Sequence, residues 1–124
     1  MAYCAASAKE KSYKLAKEKK PMMKVIALVD KADGWSDEDF RKEQAKHAEI
    51  ARSLGVIDKY SYSFPNPNPD GSPPAHDLIV EFYCKEPEKW QAKMETPEGK
   101  KAFEHAQSFT KSIVLLTAEE IDVW

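Results

Sequence analysis

The chain is 124 residues long, with 42% apolar and 32% charged side chains and a formal net charge of −2. Such a length and composition are typical of one ordinary globular domain and leave no room for a second. The near-neutral charge argues against a nucleic-acid surface, and the sequence contains no apolar run of about eighteen residues that would span a membrane.

The first segment, residues 1–22, is predicted to be a basic and flexible extension. Residues 1–21 contain six lysines, two glutamates and no continuous apolar core, so they do not resemble a secretory signal. Three interpretations are open: an arm that touches a partner or an acidic membrane, a solvated extension, or a start site assigned too early, since Met22 or Met23 would begin the domain well. The folded domain is predicted over residues 23–124.

The first two predicted elements are a buried strand and a helix. Residues 24–30 (KVIALVD) form an apolar run rich in β-branched residues, which predicts a strand covered on both faces. Ser36 followed by Asp39 gives a helix start resembling a capping box, and Gly55 is placed to end that helix. The predicted inward stripe of the helix is Phe40, His47, Ala48, Ala51 and Leu54.

A second strand and a long loop follow. Residues 58–64 (DKYSYSF) alternate between aromatic and polar side chains, which predicts a strand with one aromatic face. Residues 65–76 contain five of the eight prolines and end in His76, which is typical of a long loop that acts as a lid or binding loop. The predicted aromatic face is Tyr60, Tyr62 and Phe64.

The remaining elements are a strand, two helical pieces and a last strand. Residues 77–84 (DLIVEFYC) predict a third strand in which Glu81 is a carboxylate among apolar residues. Pro87 and Thr96 mark the starts of the helical pieces, and residues 112–116 (SIVLL) predict the fourth strand. The inner sides of the helical pieces are predicted to present Trp90, Met94, Ala102, Phe103, His105, Ala106 and Phe109.

This order of elements predicts an α+β fold, the ferredoxin-like βαββαβ arrangement with a four-stranded antiparallel sheet. Helices cover only one face of such a sheet. Because the first, third and fourth strands carry apolar residues on both faces, the open face needs a partner, and a homodimer is the simplest one.

Three segments also resemble a known family, the EthD-like family of dimeric α+β barrels. They are residues 35–60 (WSDEDFRKEQAKHAEIARSLGVIDKY), the DLIVEFY strand and residues 94–109 (METPEGKKAFEHAQSF). The likeness extends over residues 23–123, and its most specific positions are His47, Glu81 and the TPEG turn. It implies a homodimer with a ligand cleft between sheet and helices. FRKE, the Lys59–Tyr60 pair and Glu104–His105 further resemble family members that isomerise compounds of aromatic catabolism without a cofactor.

The predicted catalytic residues are His47, His105, Tyr60 and Glu81. The two histidines come from the inner faces of different helices and can move a proton near neutral pH without a metal. Tyr60 can donate a hydrogen bond to a substrate carbonyl. Glu81, if buried, can act as an acid or base, and it can equally hold a histidine or a backbone amide in place. Each of them also fits an ordinary core role. The predicted substrate contacts are Trp35, Tyr62, Phe64, His76, Trp90 and Phe109.

Three functions are compatible with these residues. The first is a cofactor-independent isomerase or lyase for a small lactone, phenol-derived or polyketide-like compound. The second is a non-catalytic binding or accessory protein of a degradation pathway, and the third is a haem- or oxygen-handling protein on the same fold. Cys4 and Cys84 form no disulfide framework, which favours the cytoplasm. Neither a metal nor a nucleotide cofactor is expected, because the histidines lack close ligand spacing and no glycine-rich phosphate loop is present.

Overall fold

The described part of the chain, residues 22–124 of a computed structural model, forms four strands and three helices. The predicted extension lies outside the described residues, apart from residue 22. In chain order the elements are β1 (Met23–Lys31), α1 (Asp37–Ser53), β2 (Lys59–Ser63), β3 (Leu78–Cys84), α2 (Pro87–Met94), α3 (Pro97–Ser108) and β4 (Thr110–Ala118).

The four strands form one sheet in the order β2-β3-β1-β4, and every neighbouring pair is antiparallel. This is the ferredoxin-like α+β topology that the order of elements predicts. β2 and β4 are therefore the edge strands, and both β1 and β3 lie inside the sheet. None of the described helices is both long enough and apolar enough to cross a membrane.

The helix ends follow from side chains close by in the sequence. The Ser36 hydroxyl accepts a hydrogen bond from the Asp39 backbone N–H at 3.1 Å, which caps the start of α1. Gly55 follows the other end with φ +74°, a left-handed conformation that glycine adopts without strain. At α3 the Thr96 hydroxyl accepts from the Gly99 N–H at 3.2 Å, and Pro97 occupies the first turn.

The hydrophobic core lies between the sheet and the helices. From the sheet, alternate residues of β1 and β3 are buried, and from the helical side Phe40 and Phe109 pack against them. The buried strand residues are Val25, Ala27, Val29, Leu78, Val80, Phe82 and Cys84. Cys84 is fully enclosed, and burial raises the pKa of its thiol to about 11, so this cysteine is protonated and inert at neutral pH.

The opposite face of the sheet carries a group of apolar side chains that is uncovered in the single chain. In the register of β1 with β4, Ile26 pairs with Leu116 and Leu28 pairs with Val114, so these side chains share that face. Val114 is 45% exposed and Leu116 is 47% exposed. We call this surface, together with Ile79, the open sheet face.

At Gly99 the backbone of α2 leaves no space for a side chain. A Cβ atom there would lie 2.2 Å from the Lys93 carbonyl oxygen and 2.5 Å from the Met94 Cα, both backbone atoms at the end of α2. We expect Gly99→Ala to lower the free energy of unfolding by about 1–3 kcal/mol, since α2 and α3 must separate. Urea unfolding at matched protein concentration measures this. Gln107→Ala, on the exposed side of α3, is the control, and equal stability of the two variants would contradict the packing argument.

Candidate active site

An apolar cavity of about 120 Å³ lies between the sheet and all three helices. Its walls come mainly from aliphatic and aromatic side chains, which include Val80, Phe82, Trp90, Met94, Phe103 and Phe109. Four polar side chains also line it: Gln44, His47, Tyr60 and Thr110. The cavity is therefore a largely apolar space in which a few polar groups are placed to orient a ligand.

Two histidines meet at one wall of this cavity. His47 comes from α1 and His105 from α3, and their Nδ1 atoms are 3.0 Å apart, a hydrogen-bonding distance. The ring planes are nearly parallel, with an angle of 16° between them and centroids 5.2 Å apart, and both rings pack on Phe109. His47 lines the cavity, and His105 lies behind it. The structure thus brings together the two histidines predicted to share one pocket.

Glu43 completes this arrangement and was not predicted from the sequence. Its Oε2 atom lies 2.6 Å from Nε2 of His105, a short charge-assisted hydrogen bond. The hydrogen bond from His105 holds the pKa of the Glu43 carboxyl below its ordinary value, so the group is ionised at neutral pH. Glu43 precedes His47 by four residues and therefore shares its helix face, but this spacing alone does not show that Glu43 contacts His105.

His47 is neutral at physiological pH. Burial, together with the positive charge that His105 can hold, lowers the pKa of His47 from its ordinary value of 6.5 to about 4. A neutral imidazole has one nitrogen lone pair, so His47 is in the form that accepts a proton.

The same shift makes stability depend on pH. Between about pH 6.5 and pH 4 the unfolded chain binds a proton at His47 and the folded chain does not, so stability falls as the pH decreases through this range. Since His47 is partly exposed, we expect it to account for a loss on the order of 2 kcal/mol. Denaturant unfolding at pH 7 and pH 4 measures the loss. In His47→Gln the loss of unfolding free energy between pH 7 and pH 4 should be smaller by that amount. An identical loss in the variant and the wild-type protein would contradict the lowered pKa of His47.

Tyr60 and Gln44 form a second polar pair in the cavity. The Gln44 side chain is almost fully enclosed, at 2% exposure, and its Nε2 donates to the Tyr60 hydroxyl at 3.0 Å. Burial raises the pKa of Tyr60, which keeps the phenol protonated. Because the hydroxyl oxygen accepts from Gln44, its own proton is available for a ligand. Gln44 lies four residues after Phe40 on the inward face of α1, but an amide does not continue an apolar stripe, so the sequence pattern does not mark it as buried.

The predicted aromatic contacts divide into two groups. Trp90 and Phe109 line the cavity. Trp35 does not line it, and its ring packs on Phe109 at a centroid distance of 6.1 Å. Tyr62 packs edge-on against Tyr60 at 6.2 Å and likewise does not reach the cavity.

Phe64 and His76 also lie away from the cavity, in contrast to their predicted role as substrate contacts. Phe64 follows the end of β2 and packs edge-on against Phe40 at 6.4 Å. His76 is held at the end of the proline-rich loop, where its Nδ1 lies 3.2 Å from Oδ1 of Asp30. Both side chains support the loop and its connection to the sheet.

Glu81 lies on the opposite side of the sheet from the histidines. It pairs across the strands with Ile26, on the open sheet face, and its carboxylate forms a 2.9 Å ion pair with Lys24. Strand alternation requires this, because the neighbouring Val80 and Phe82 face the helices. The predicted catalytic role of Glu81 does not fit this position, and the carboxylate that contacts His105 is that of Glu43.

The comparisons with known proteins agree with this fold. The EthD domain model matches residues 32–112, more than half of the chain. The 4-carboxymethyl-4-methylbutenolide mutase of Pseudomonas reinekei is 26% identical over 106 residues, covering 81% of this chain and 99% of that protein.

Two solved structures extend the comparison. An ethyl tert-butyl ether D (EthD) family protein of Bacillus halodurans is 26% identical, with a TM-score of 0.69 and coverage of 81% of this chain and 99% of that one. A dimeric protein of ferredoxin-like fold from Bacteroides fragilis is 17% identical, with a TM-score of 0.57 and coverage of 80% and 96%. Because the EthD domain model matches residues 32–112, the chain belongs to the EthD family.

Proposed function

We propose that this EthD-family protein is a cofactor-independent isomerase or lyase that moves a proton on a small lactone or other aromatic-derived compound. The observation that supports this best is a neutral His47 at the wall of an apolar cavity, with a second histidine and a carboxylate behind it. The likeness to a butenolide mutase supports the isomerase class. So does the resemblance of FRKE, Lys59–Tyr60 and Glu104–His105 to 4-methylmuconolactone methylisomerase. Cytoplasmic aromatic catabolism is the proposed setting.

The proposed reaction divides the work between His47 and Tyr60. Nε2 of His47 takes a proton from a carbon next to the substrate carbonyl, and the Tyr60 hydroxyl donates to the oxygen on which negative charge develops. His47 then returns the proton to a different carbon. The apolar walls exclude water that would compete for the proton. Since the proton leaves and returns, the isomerisation consumes no other reactant.

The cavity suits a small, compact substrate. Its volume of about 120 Å³ is below the several hundred Å³ of a typical drug-sized ligand site. At one side it is bordered by Leu115 of edge strand β4, which is 50% exposed and points to the helix face. We infer that the ligand enters from this edge.

We further propose that two copies pair through the open sheet face. Ile26, Leu28 and Leu116 place apolar surface there that has no cover in the single chain. The solved protein of ferredoxin-like fold from Bacteroides fragilis is dimeric, which supports a homodimer.

Incubation with 4-carboxymethyl-4-methylbutenolide and related small lactones tests the function. We expect conversion to an isomer of equal mass, followed by chromatography and mass spectrometry. Titration calorimetry on the same compounds separates catalysis from binding alone. Binding without conversion would contradict the enzyme proposal and favour a non-catalytic ligand-binding protein.

The Tyr60 hydroxyl has its own prediction. Tyr60→Phe removes the proposed donor and leaves the ring in place, so we expect kcat to fall by about 10²-fold with a small change in KM. Tyr62→Phe is the matched control, because it removes the same atom from the same strand outside the cavity. Equal kcat values for the two variants would remove Tyr60 from the mechanism.

A further inference from the structure

Glu43, His105 and His47 form a continuous hydrogen-bonded chain that ends at the cavity. The carboxylate contacts His105 through Oε2 at 2.6 Å, while its Oε1 lies 3.5 Å from the Lys46 ammonium at the surface. His105 in turn contacts His47 at 3.0 Å. Only His47 of these residues lines the cavity. The chain therefore joins an anion near the surface to a base inside.

The chemistry of these groups determines where the protons are. An ionised carboxylate only accepts, so Nε2 of His105 carries the hydrogen that it receives. If His105 is neutral, its Nδ1 has the lone pair, and Nδ1 of His47 must donate across the 3.0 Å contact. Nε2 of His47 then has a lone pair and no partner among the described side chains. This is the form of His47 that acts as a base.

After it has taken up a proton, the His47–His105 pair acts as an acid. When Nε2 of His47 takes the substrate proton, its Nδ1 proton can pass to Nδ1 of His105. The positive charge then lies on His105, directly beside the Glu43 carboxylate, and His47 is neutral again with a hydrogen on Nε2. The reverse transfer returns the proton to substrate. One ring atom thus serves as base and then as acid, and no proton is gained or lost.

We propose that Glu43 is a positioning residue that fixes the tautomers of both histidines and stabilises the charge on His105 during turnover. This deepens the proposed function and rests on it for the kinetic part. Among the described residues, the titratable side chains that hydrogen-bond to His105 are His47 and Glu43 of α1. Lys46 pairs with Glu43, and Phe109, which packs on both rings, is apolar. Among these groups, Glu43 is the one anion that contacts His105.

Nitrogen-15 NMR of the imidazole rings tests the tautomers without any substrate. At pH 7.5 we expect His105 to be protonated at Nε2 and His47 at Nδ1. In Glu43→Gln, whose neutral amide can donate as well as accept, both rings should become tautomer mixtures. Glu49→Gln is the control, since it removes the same charge from an exposed position on α1. Tautomers unchanged by Glu43→Gln would overturn the proposal.

Steady-state kinetics on a lactone that the protein converts provide a second test. Glu43→Gln should lower kcat by about 10²-fold or more with little change in KM, by analogy with the carboxylate that orients a catalytic histidine. Glu43→Asp, which keeps the charge, should restore part of the loss, whereas Gln and Asp variants of equal activity would overturn the charge-stabilising role. A tautomer change in a protein that turns over no lactone would leave the positioning role intact and refute the proposed function.

Discussion

We expect His47→Ala to reduce turnover of a lactone substrate by about 10³-fold or more, the largest effect of any single substitution in the cavity. His47 is the one imidazole among the described residues that lines the cavity. Its neighbour His105 lies behind it and does not replace it. Among the described residues, removing His47 therefore leaves no imidazole at the cavity wall to accept and return a proton.

A matched control separates this effect from loss of structure. His76→Ala removes the same type of side chain outside the cavity, where its ring contacts Asp30. Steady-state kinetics on both variants, with circular dichroism and sedimentation as checks of fold and assembly, measure the difference. Turnover by His47→Ala at the level of His76→Ala would contradict the assignment of the base.

The second large effect concerns assembly. We expect Leu116→Asp to weaken the homodimer by about 10²–10³-fold in Kd, because it places an unpaired carboxylate in the centre of the open sheet face. Leu116 pairs with Ile26 in the middle of this apolar surface. Lys24 lies on the same face of β1, but its ammonium is already paired with Glu81 at 2.9 Å and with Glu120 at 3.2 Å, so a further carboxylate adds net negative charge.

Thr117→Asp is the control for this substitution. Thr117 is the next residue of β4, pairs with Val25 and points to the helix side, so an added charge there avoids the proposed interface. Sedimentation equilibrium at micromolar concentrations measures both variants. A wild-type protein that is a stable monomer, or a Leu116→Asp variant that pairs as tightly as Thr117→Asp, would contradict the proposed interface.

The sequence predicts the elements of the fold well because short-range chemistry determines them. Ser36 and Thr96 cap helices through backbone groups three residues away, and Gly55 supplies the left-handed turn after α1. The apolar patterns of β1 and β3 likewise indicate that both lie inside the sheet.

The site is harder to predict because its contacts join distant segments. His47 and His105 were placed together by the inner faces of their helices, but Glu43 is 62 residues from His105, and no local pattern shows that they touch. The alternation of β3 predicts that Glu81 lies on the opposite face of the sheet from Val80 and Phe82. Only the sheet register and the position of the helices show which of the two faces holds the cavity.

Proton NMR of 4-carboxymethyl-4-methylbutenolide in D₂O tests the central claim most directly, because it detects proton transfer at carbon even where net conversion is small. With the wild-type protein we predict deuterium incorporation or isomerisation, and with His47→Ala we predict neither. Exchange at equal rates with the two proteins, or no exchange with the wild-type protein across a panel of small lactones, would contradict acid–base catalysis by His47.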